Sequence, residues 1–150
     1  MSKLSRNGYI IIKKDYDLKK IKEIKDDLTA KPFNFNDIGT GIEKKFTIYL
    51  ESPNKLYLPR FYGISQFGDP DKNTISNGEE IKINFKGSLR KEQEPIINII
   101  TETLKDKGGA ILSLKCGGGK TVLALYILSQ LKVKTMVVVH KDFLMTQWKD

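Results

Sequence analysis

A glycine-rich loop between two apolar segments constrains this chain more than any other stretch. Residues 112–121 read Leu-Ser-Leu-Lys-Cys-Gly-Gly-Gly-Lys-Thr, and an apolar segment with helical periodicity follows at residues 122–131. Glycines allow the backbone to curl so that successive N–H groups point at one anion, and a helix that begins there adds its positive end. The order strand, loop and helix predicts a phosphate-binding loop; the alternative is a plain structural turn.

The chemistry expected of this loop depends on its last residues. The Lys120 ammonium would reach the β- and γ-phosphates of a nucleotide, and the Thr121 hydroxyl would coordinate Mg²⁺. The common pattern has a glycine five residues before Gly119, and Leu114 stands there instead. The tripeptide Gly-Lys-Thr is intact, but the strict pattern fails at its first position.

Composition limits the classes of protein to which the chain can belong. With 39% hydrophobic and 29% charged residues, its 150 residues are typical of a globular chain of one or two domains. The apolar stretches are too short to span a bilayer, and one cysteine excludes an internal disulfide. We therefore expect an intracellular, cytoplasmic protein that is not secreted. The net charge of +8 favours a polyanionic partner, although lysines also serve solubility.

Residues 1–87 are predicted to form a small α+β accessory domain. A β-branched run at residues 9–13 indicates a buried strand, and Asp17 is a suitable N-cap for a helix to about Ala30. That helix would carry Leu18, Ile21, Ile24 and Leu28 on one face. The remaining predictions for this part are an irregular connection at 33–42, a hairpin of strands at 46–50 and 56–58, an exposed loop at 69–78 and a strand at 80–85.

The segment at residues 59–70 is rich in aromatic residues and glycine. Tyr62 and Phe67 are expected to fill the core of the small domain, with the glycines shaping turns. The alternative is that the aromatic side chains beside Arg60 stack on the bases of a nucleic acid. The domain boundary is expected at residues 86–88.

Residues 88–150 are predicted to begin an α/β domain with a parallel sheet. A helix is expected to end at residues 107–109, a strand at 110–115 to enter the loop, and a continuous apolar run at 135–139 to form a buried strand. A further helix would start near His140, with Phe143, Leu144 and Trp148 inward. Two parallel strands cannot bury both faces of a sheet, so we expect the domain to be incomplete.

Four short motifs in this second part carry a family resemblance. They are Leu89-Arg90-x-x-Gln93, the loop at residues 116–121, Val-Val-Val-His at 137–140, and Gln147-Trp148. Together they resemble superfamily 2 helicases of the XPB-like and UvsW-like branch, and most of all the transcription helicases of large cytoplasmic DNA viruses. Loops without the first glycine are common in this branch. The resemblance covers about residues 59–150.

The resemblance implies a RecA-like motor domain that uses ATP and Mg²⁺ to unwind or translocate on nucleic acid, DNA rather than RNA, with viral transcription as the suggested process. It implies that Gln93 reads adenine, that Arg90 lies near the nucleotide, and that His140 and Lys141 contact the nucleic-acid backbone. The residues it assigns to the phosphates and Mg²⁺ are Cys116, Gly117, Gly118, Gly119, Lys120 and Thr121.

The chain also departs from the family pattern. Such enzymes need an Asp-Glu pair on a later strand and arginines from a second motor domain, and residues 122–150 supply neither. We expect the 150 residues to bind ATP weakly and not to hydrolyse it. The alternative function is a module that binds nucleic acid or a transcription partner through residues 1–87 and carries a non-catalytic loop. A phosphotransferase is a third reading, which Gln93 and Gln147-Trp148 disfavour.

Overall fold

The computed structural model describes residues 1–32 and 44–149. The chain folds as two compact units, Met1–Asn77 and Gly78–Asp150. The connection expected at residues 33–42 lies outside the described residues. The units divide ten residues before the boundary expected from the sequence, since residues 78–87 belong to the second unit. No helix in the described part is long and apolar enough to cross a membrane.

The first unit is a five-stranded sheet with two helices. Its strands and α-helices are β1 (Lys3–Ser5), β2 (Gly8–Ile12), α1 (Leu18–Asp27), β3 (Thr29–Ala30), β4 (Phe46–Thr47), β5 (Leu50–Glu51), β6 (Lys55–Leu58), α2 (Arg60–Phe67) and β7 (Lys72–Asn73), and a 3-10 helix, Lys13–Asp15, follows β2. The sheet order is β5-β6-β2-β1-β7, and β3 pairs separately with β4. All neighbours run antiparallel except β1 and β7.

The predicted strand at residues 9–13 is confirmed as β2. The predicted hairpin is confirmed where Leu50 pairs with Tyr57, but the first half of the predicted strand at 46–50 turns away and pairs with Thr29–Ala30. The predicted loop at 69–78 is exposed, and two of its residues form β7. Short edge strands such as β7 carry no periodic signal that a sequence can reveal.

Helix α1 confirms the predicted N-cap. The Asp17 Oδ1 atom accepts a hydrogen bond of 2.6 Å from the Lys20 backbone N–H, which satisfies one of the free donors of the first turn. Ile21, Ile24 and Leu28 are buried. Leu18 shares this face by its spacing but is 88% exposed, because it is the first residue of the helix and lies at the end of the face.

Helix α2 replaces the turns expected at residues 59–70. It packs closely on the sheet, since a Cβ atom at Gly63 would overlap the Tyr9 side chain. The expectation that Tyr62 and Phe67 fill the core is confirmed, because both pack against the buried cluster. The Phe67 ring lies 6.0 Å from that of Tyr9. The buried cluster comprises Leu4, Tyr9, Ile11, Ile21, Ile24, Leu28, Leu56 and Leu58.

The second unit consists of helices around a small core. Its helices are α3 (Glu94–Lys107), α4 (Lys120–Leu131) and α5 (Asp142–Lys149), and a single 3-10 turn, Lys91–Gln93, precedes α3. Helix α3 ends at Gly108, whose φ of 69° is left-handed, so the predicted stop is confirmed. The buried residues are Gln93, Ile97, Leu123 and Ser129. The predicted mixed α/β class is confirmed.

The strands predicted in the second unit form no ladder among the described residues. Residues 110–115 and 135–139 pair with no strand there, and the strand expected at 80–85 contributes one bridge, Glu80 to Val133. A strand needs a neighbour for its backbone N–H and C=O groups, and the described residues place none beside these segments. Several of their apolar side chains are consequently exposed, with Ile111 at 97% and Val138 at 80%.

Candidate phosphate-binding site

The glycine loop has the tight curl that the sequence predicts. Gly117 and Gly119 both have a left-handed φ, 77° and 79°. The Gly118 N–H donates to the Lys115 carbonyl at 3.1 Å, which closes the turn. Helix α4 then begins at Lys120, and its free N-terminal N–H groups therefore lie at the loop. This arrangement suits an anion with several oxygen atoms.

The Lys120 ammonium lies across the base of the loop. Its Nζ atom donates to the Leu114 carbonyl at 2.9 Å and to the Lys115 carbonyl at 3.1 Å. Lys120 is exposed, and Thr121, the next residue of α4, is partly buried. The sequence predicted the lysine's role toward phosphate but not these two carbonyls, because a backbone acceptor leaves no signal in residue type.

Gln93 is a buried side chain that braces the loop. It is 3% exposed. Its Nε2 atom donates to the Gly118 carbonyl at 3.3 Å, and its Oε1 atom accepts from the Arg90 N–H at 3.0 Å. One N–H and one lone pair of the amide are left by these bonds. The role of Gln93 in adenine recognition stays a prediction; the bracing contact was not expected.

Arg90 also contacts the loop. Its Nη1 atom donates to the Gly117 carbonyl at 3.3 Å, and the side chain is exposed. Cys116 is a free, exposed residue of the same loop. The structure therefore brings together Arg90, Gln93 and the loop at residues 116–121, although 22 residues separate Gln93 from Cys116 in the sequence.

His140 and Lys141 lie before α5, and both are exposed. The Lys141 carbonyl accepts the Leu144 N–H at 3.1 Å, so the first turn of α5 closes on this residue. Contact of His140 and Lys141 with nucleic acid stays a prediction. Leu144 and Trp148 are partly buried as expected. The expectation for Phe143 was wrong, because it is 67% exposed.

The residues of the loop fit a polyphosphate better than they fit a bare metal ion. Lys120 and Arg90 supply positive charge, and the start of α4 supplies backbone donors. Within the described residues, no group of three His, Cys, Asp or Glu side chains has the geometry of a metal site. A magnesium ion here would have the Thr121 hydroxyl as a protein ligand and would take further oxygens from phosphate and water.

Comparison with known proteins shows which family and which relatives the chain resembles. The family described as "Type III restriction enzyme, res subunit" matches residues 86–150. The chain is 38% identical to "Putative ATP-dependent RNA helicase L396" of Acanthamoeba polyphaga mimivirus over 97% of its own length. It is 51% identical over 61% of its length to the DNA 3'-5' translocase XPB2 of Sulfurisphaera tokodaii.

A third relative is "Putative helicase 161L" of Invertebrate iridescent virus 6, which is 34% identical over 47% of this chain. The chain spans 29% of the mimivirus protein, 20% of the translocase and 16% of the iridescent virus protein. No solved structure matches the chain.

Proposed function

We propose that this chain, which belongs to the superfamily 2 helicases and resembles their XPB-like branch, holds the nucleotide phosphates of an ATP-dependent nucleic-acid helicase or translocase. The observation that carries the proposal is the position of Lys120, whose ammonium spans the loop at the start of α4. Its two bonds are to neutral carbonyls, which a charged phosphate oxygen outcompetes as an acceptor.

Each residue of the site has a proposed task. Lys120 and the loop N–H groups hold the β- and γ-phosphates, and Thr121 orients the magnesium ion. Gln93 fixes the loop through Gly118 and directs its remaining N–H toward the base, while Arg90 adds charge at Gly117. Bound ATP would supply free energy through hydrolysis of the bond between its β- and γ-phosphates. Cleavage requires a carboxylate pair to position magnesium and water, which we propose for a part of the protein outside these 150 residues.

The wider role is proposed from the relatives. Their names describe RNA helicase activity in one case and DNA translocation in another. We propose nucleic acid as the partner, DNA rather than RNA, with transcription of a cytoplasmic DNA virus as the process and the cytoplasm, a viral factory or the virion as the location. His140 and Lys141 are the proposed backbone contacts of the second unit.

Fluorescent nucleotide binding tests the proposal. We expect mant-ATP to bind the 150-residue chain in the presence of Mg²⁺, and Lys120→Ala to weaken the binding at least about tenfold, as loss of a charge-assisted contact does. Lys115→Ala is the matched control, because this lysine of the same loop contributes its backbone carbonyl. Absence of binding, or equal affinity of the Lys120→Ala variant, would contradict the proposal.

A further inference from the structure

The sheet of the first unit has a second face that combines lysines with apolar side chains. Strand register defines this face, because side chains alternate between the two sides of a strand. One row of paired residues crosses all five strands in the order Leu50, Tyr57, Ile10, Lys3, Lys72. The next pair on the same side is Ile12 with Lys55. We call these seven side chains the open face.

The two helices of the first unit, α1 and α2, do not cover the open face. The core side of the same strands is buried, with Leu4, Tyr9 and Leu56 each at most 2% exposed. Helix α1 adds Ile21 and Ile24 to that side, and α2 packs Gly63 on Tyr9. On the open face Leu50 is 65% exposed, the three lysines are exposed, and Tyr57, Ile10 and Ile12 are partly exposed.

Among the seven side chains of the open face, three are lysines and none is acidic. Lys3 and Lys72 are directly opposite each other on neighbouring strands, an arrangement of like charges that destabilises a sheet. Within residues 1–32 and 44–149, Lys3, Lys55 and Lys72 form no ion pair. The acidic residue of these strands, Glu51, belongs to the core side, where Lys13 and Lys25 each approach it to 2.7 Å.

We propose that the open face binds a single strand of nucleic acid. Tyr57 lies at the middle of the apolar part of the row, between Leu50 and Ile10, where its ring can stack on an unpaired base. Lys3, Lys72 and Lys55 border this apolar part and contact the phosphates. A sheet that offers an aromatic ring and surrounding lysines suits single strands, whose bases are available for stacking. An acidic peptide would match the lysines but not the apolar centre.

This surface belongs to the first unit, and the glycine loop belongs to the second. The proposal therefore does not depend on nucleotide binding by Lys120. Each can fail without the other, provided that both kinds of binding are measured in the same variants.

Fluorescence anisotropy with the 150-residue chain tests the proposal. The probes are labelled oligo(dT) and oligo(U) of 20 nucleotides and a duplex of 20 base pairs. We expect at least one of the two single strands to bind more tightly than the duplex. Tyr57→Ala should weaken single-strand binding about fivefold or more, while Tyr57→Phe keeps the ring and the affinity. Lys3→Gln and Lys72→Gln should each reduce the slope of log K against log salt by about 0.7.

Matched controls test whether binding depends on the open face itself or only on the number of lysines and aromatic rings in the chain. Lys19→Gln and Lys22→Gln alter exposed lysines of α1, and Phe61→Ala removes a ring of α2 that is 52% exposed. These three variants should keep the affinity, and Tyr57→Ala should keep its mant-ATP affinity. A preference for duplex, an unchanged affinity of folded Tyr57→Ala, or an equal loss in the α1 controls would overturn the proposal. If Tyr57→Ala does not fold, the two lysine variants decide.

Discussion

The Gln93 Nε2 atom occupies the space that a Cβ atom of residue 119 would need. The same amide bonds the Gly118 carbonyl and the Arg90 N–H. A buried side chain before α3 thus sets the shape of the loop before α4. The absence of a side chain at Gly119 is required twice, by the left-handed φ of 79° and by this contact.

Substitution of the two left-handed glycines should separate these requirements. Gly117→Ala adds a Cβ atom to open space at a φ of 77° and should cost about 1–2 kcal/mol of unfolding free energy from backbone strain alone. Gly119→Ala carries a similar strain and also displaces Gln93, so its cost should be at least about 1 kcal/mol larger. Urea unfolding followed by Trp148 fluorescence measures both. Equal costs would show that the Gln93 contact is unimportant.

Removal of the Gln93 side chain should destabilise the second unit. Gln93→Ala leaves the Arg90 N–H and the Gly118 carbonyl without their partner, and we expect a loss of about 1–3 kcal/mol. The exposed Gln130 of α4 provides the control, because Gln130→Ala should change stability by less than about 0.5 kcal/mol. The same urea experiment applies. A Gln93→Ala variant as stable as the control would argue against the bracing role.

Substitution of Gly63 by Ala tests the packing of α2 in the first unit, because the sign of the change in stability depends on that packing. In an exposed helix, Gly to Ala stabilises by about 1 kcal/mol. At Gly63 the new methyl group would overlap the Tyr9 side chain, so we expect a net destabilisation of about 1–3 kcal/mol. Ser65→Ala, at an exposed position of the same helix, should be close to neutral. Thermal unfolding followed by near-UV circular dichroism gives the answer, and a stabilised Gly63→Ala variant would contradict it.

Protonation of Glu51 should lower the free energy of unfolding at acid pH. Hydrogen bonds from Lys13 and then Lys25 hold the pKa of its carboxyl below the usual 4.5. A lowered pKa stabilises the fold above pH 4.5, and this contribution is lost as the pH falls through the folded-state pKa. Glu51→Gln should therefore cost about 1 kcal/mol or less at pH 7.

The difference between Glu51→Gln and the unmodified chain should disappear in acid, which urea unfolding at several pH values between 7 and 3 can follow. Glu23→Gln is the control, because the ion pair of Glu23 with Lys20 is long, at 3.9 Å. A stability difference for Glu51→Gln that persists unchanged at pH 3 would mean that its charge is not the cause.

The sequence predicted those elements whose signal is local. Asp17 marks the start of α1, Gly108 marks the end of α3, and the β-branched run of β2 predicts a buried strand. The misses involve contacts between distant residues. The glycines at residues 59–70 predict turns, where the structure has helix α2. Gly63 stands in this helix because α2 packs closely on the ring of Tyr9, 54 positions earlier in the chain.

In the candidate site, too, features with a local sequence signal were predictable and contacts between distant residues were not. The glycines, Lys120 and Thr121 could be assigned from their order along the chain, and Arg90 and Gln93 from the family resemblance. The carbonyls of Leu114 and Lys115 and the buried brace of Gln93 could not. The open face could not be predicted from the sequence either, because Lys3 and Lys72 become neighbours only through the pairing of β1 with β7.

The bonds between the Lys120 ammonium and the carbonyls of Leu114 and Lys115 have an energetic consequence. A polyphosphate that binds in the loop must replace both carbonyls as the acceptor for this lysine, so the net gain is the difference between a charged and a neutral acceptor. The two bonds also hold the ammonium at the loop before any anion arrives, which reduces the conformational entropy that the lysine loses when the nucleotide binds.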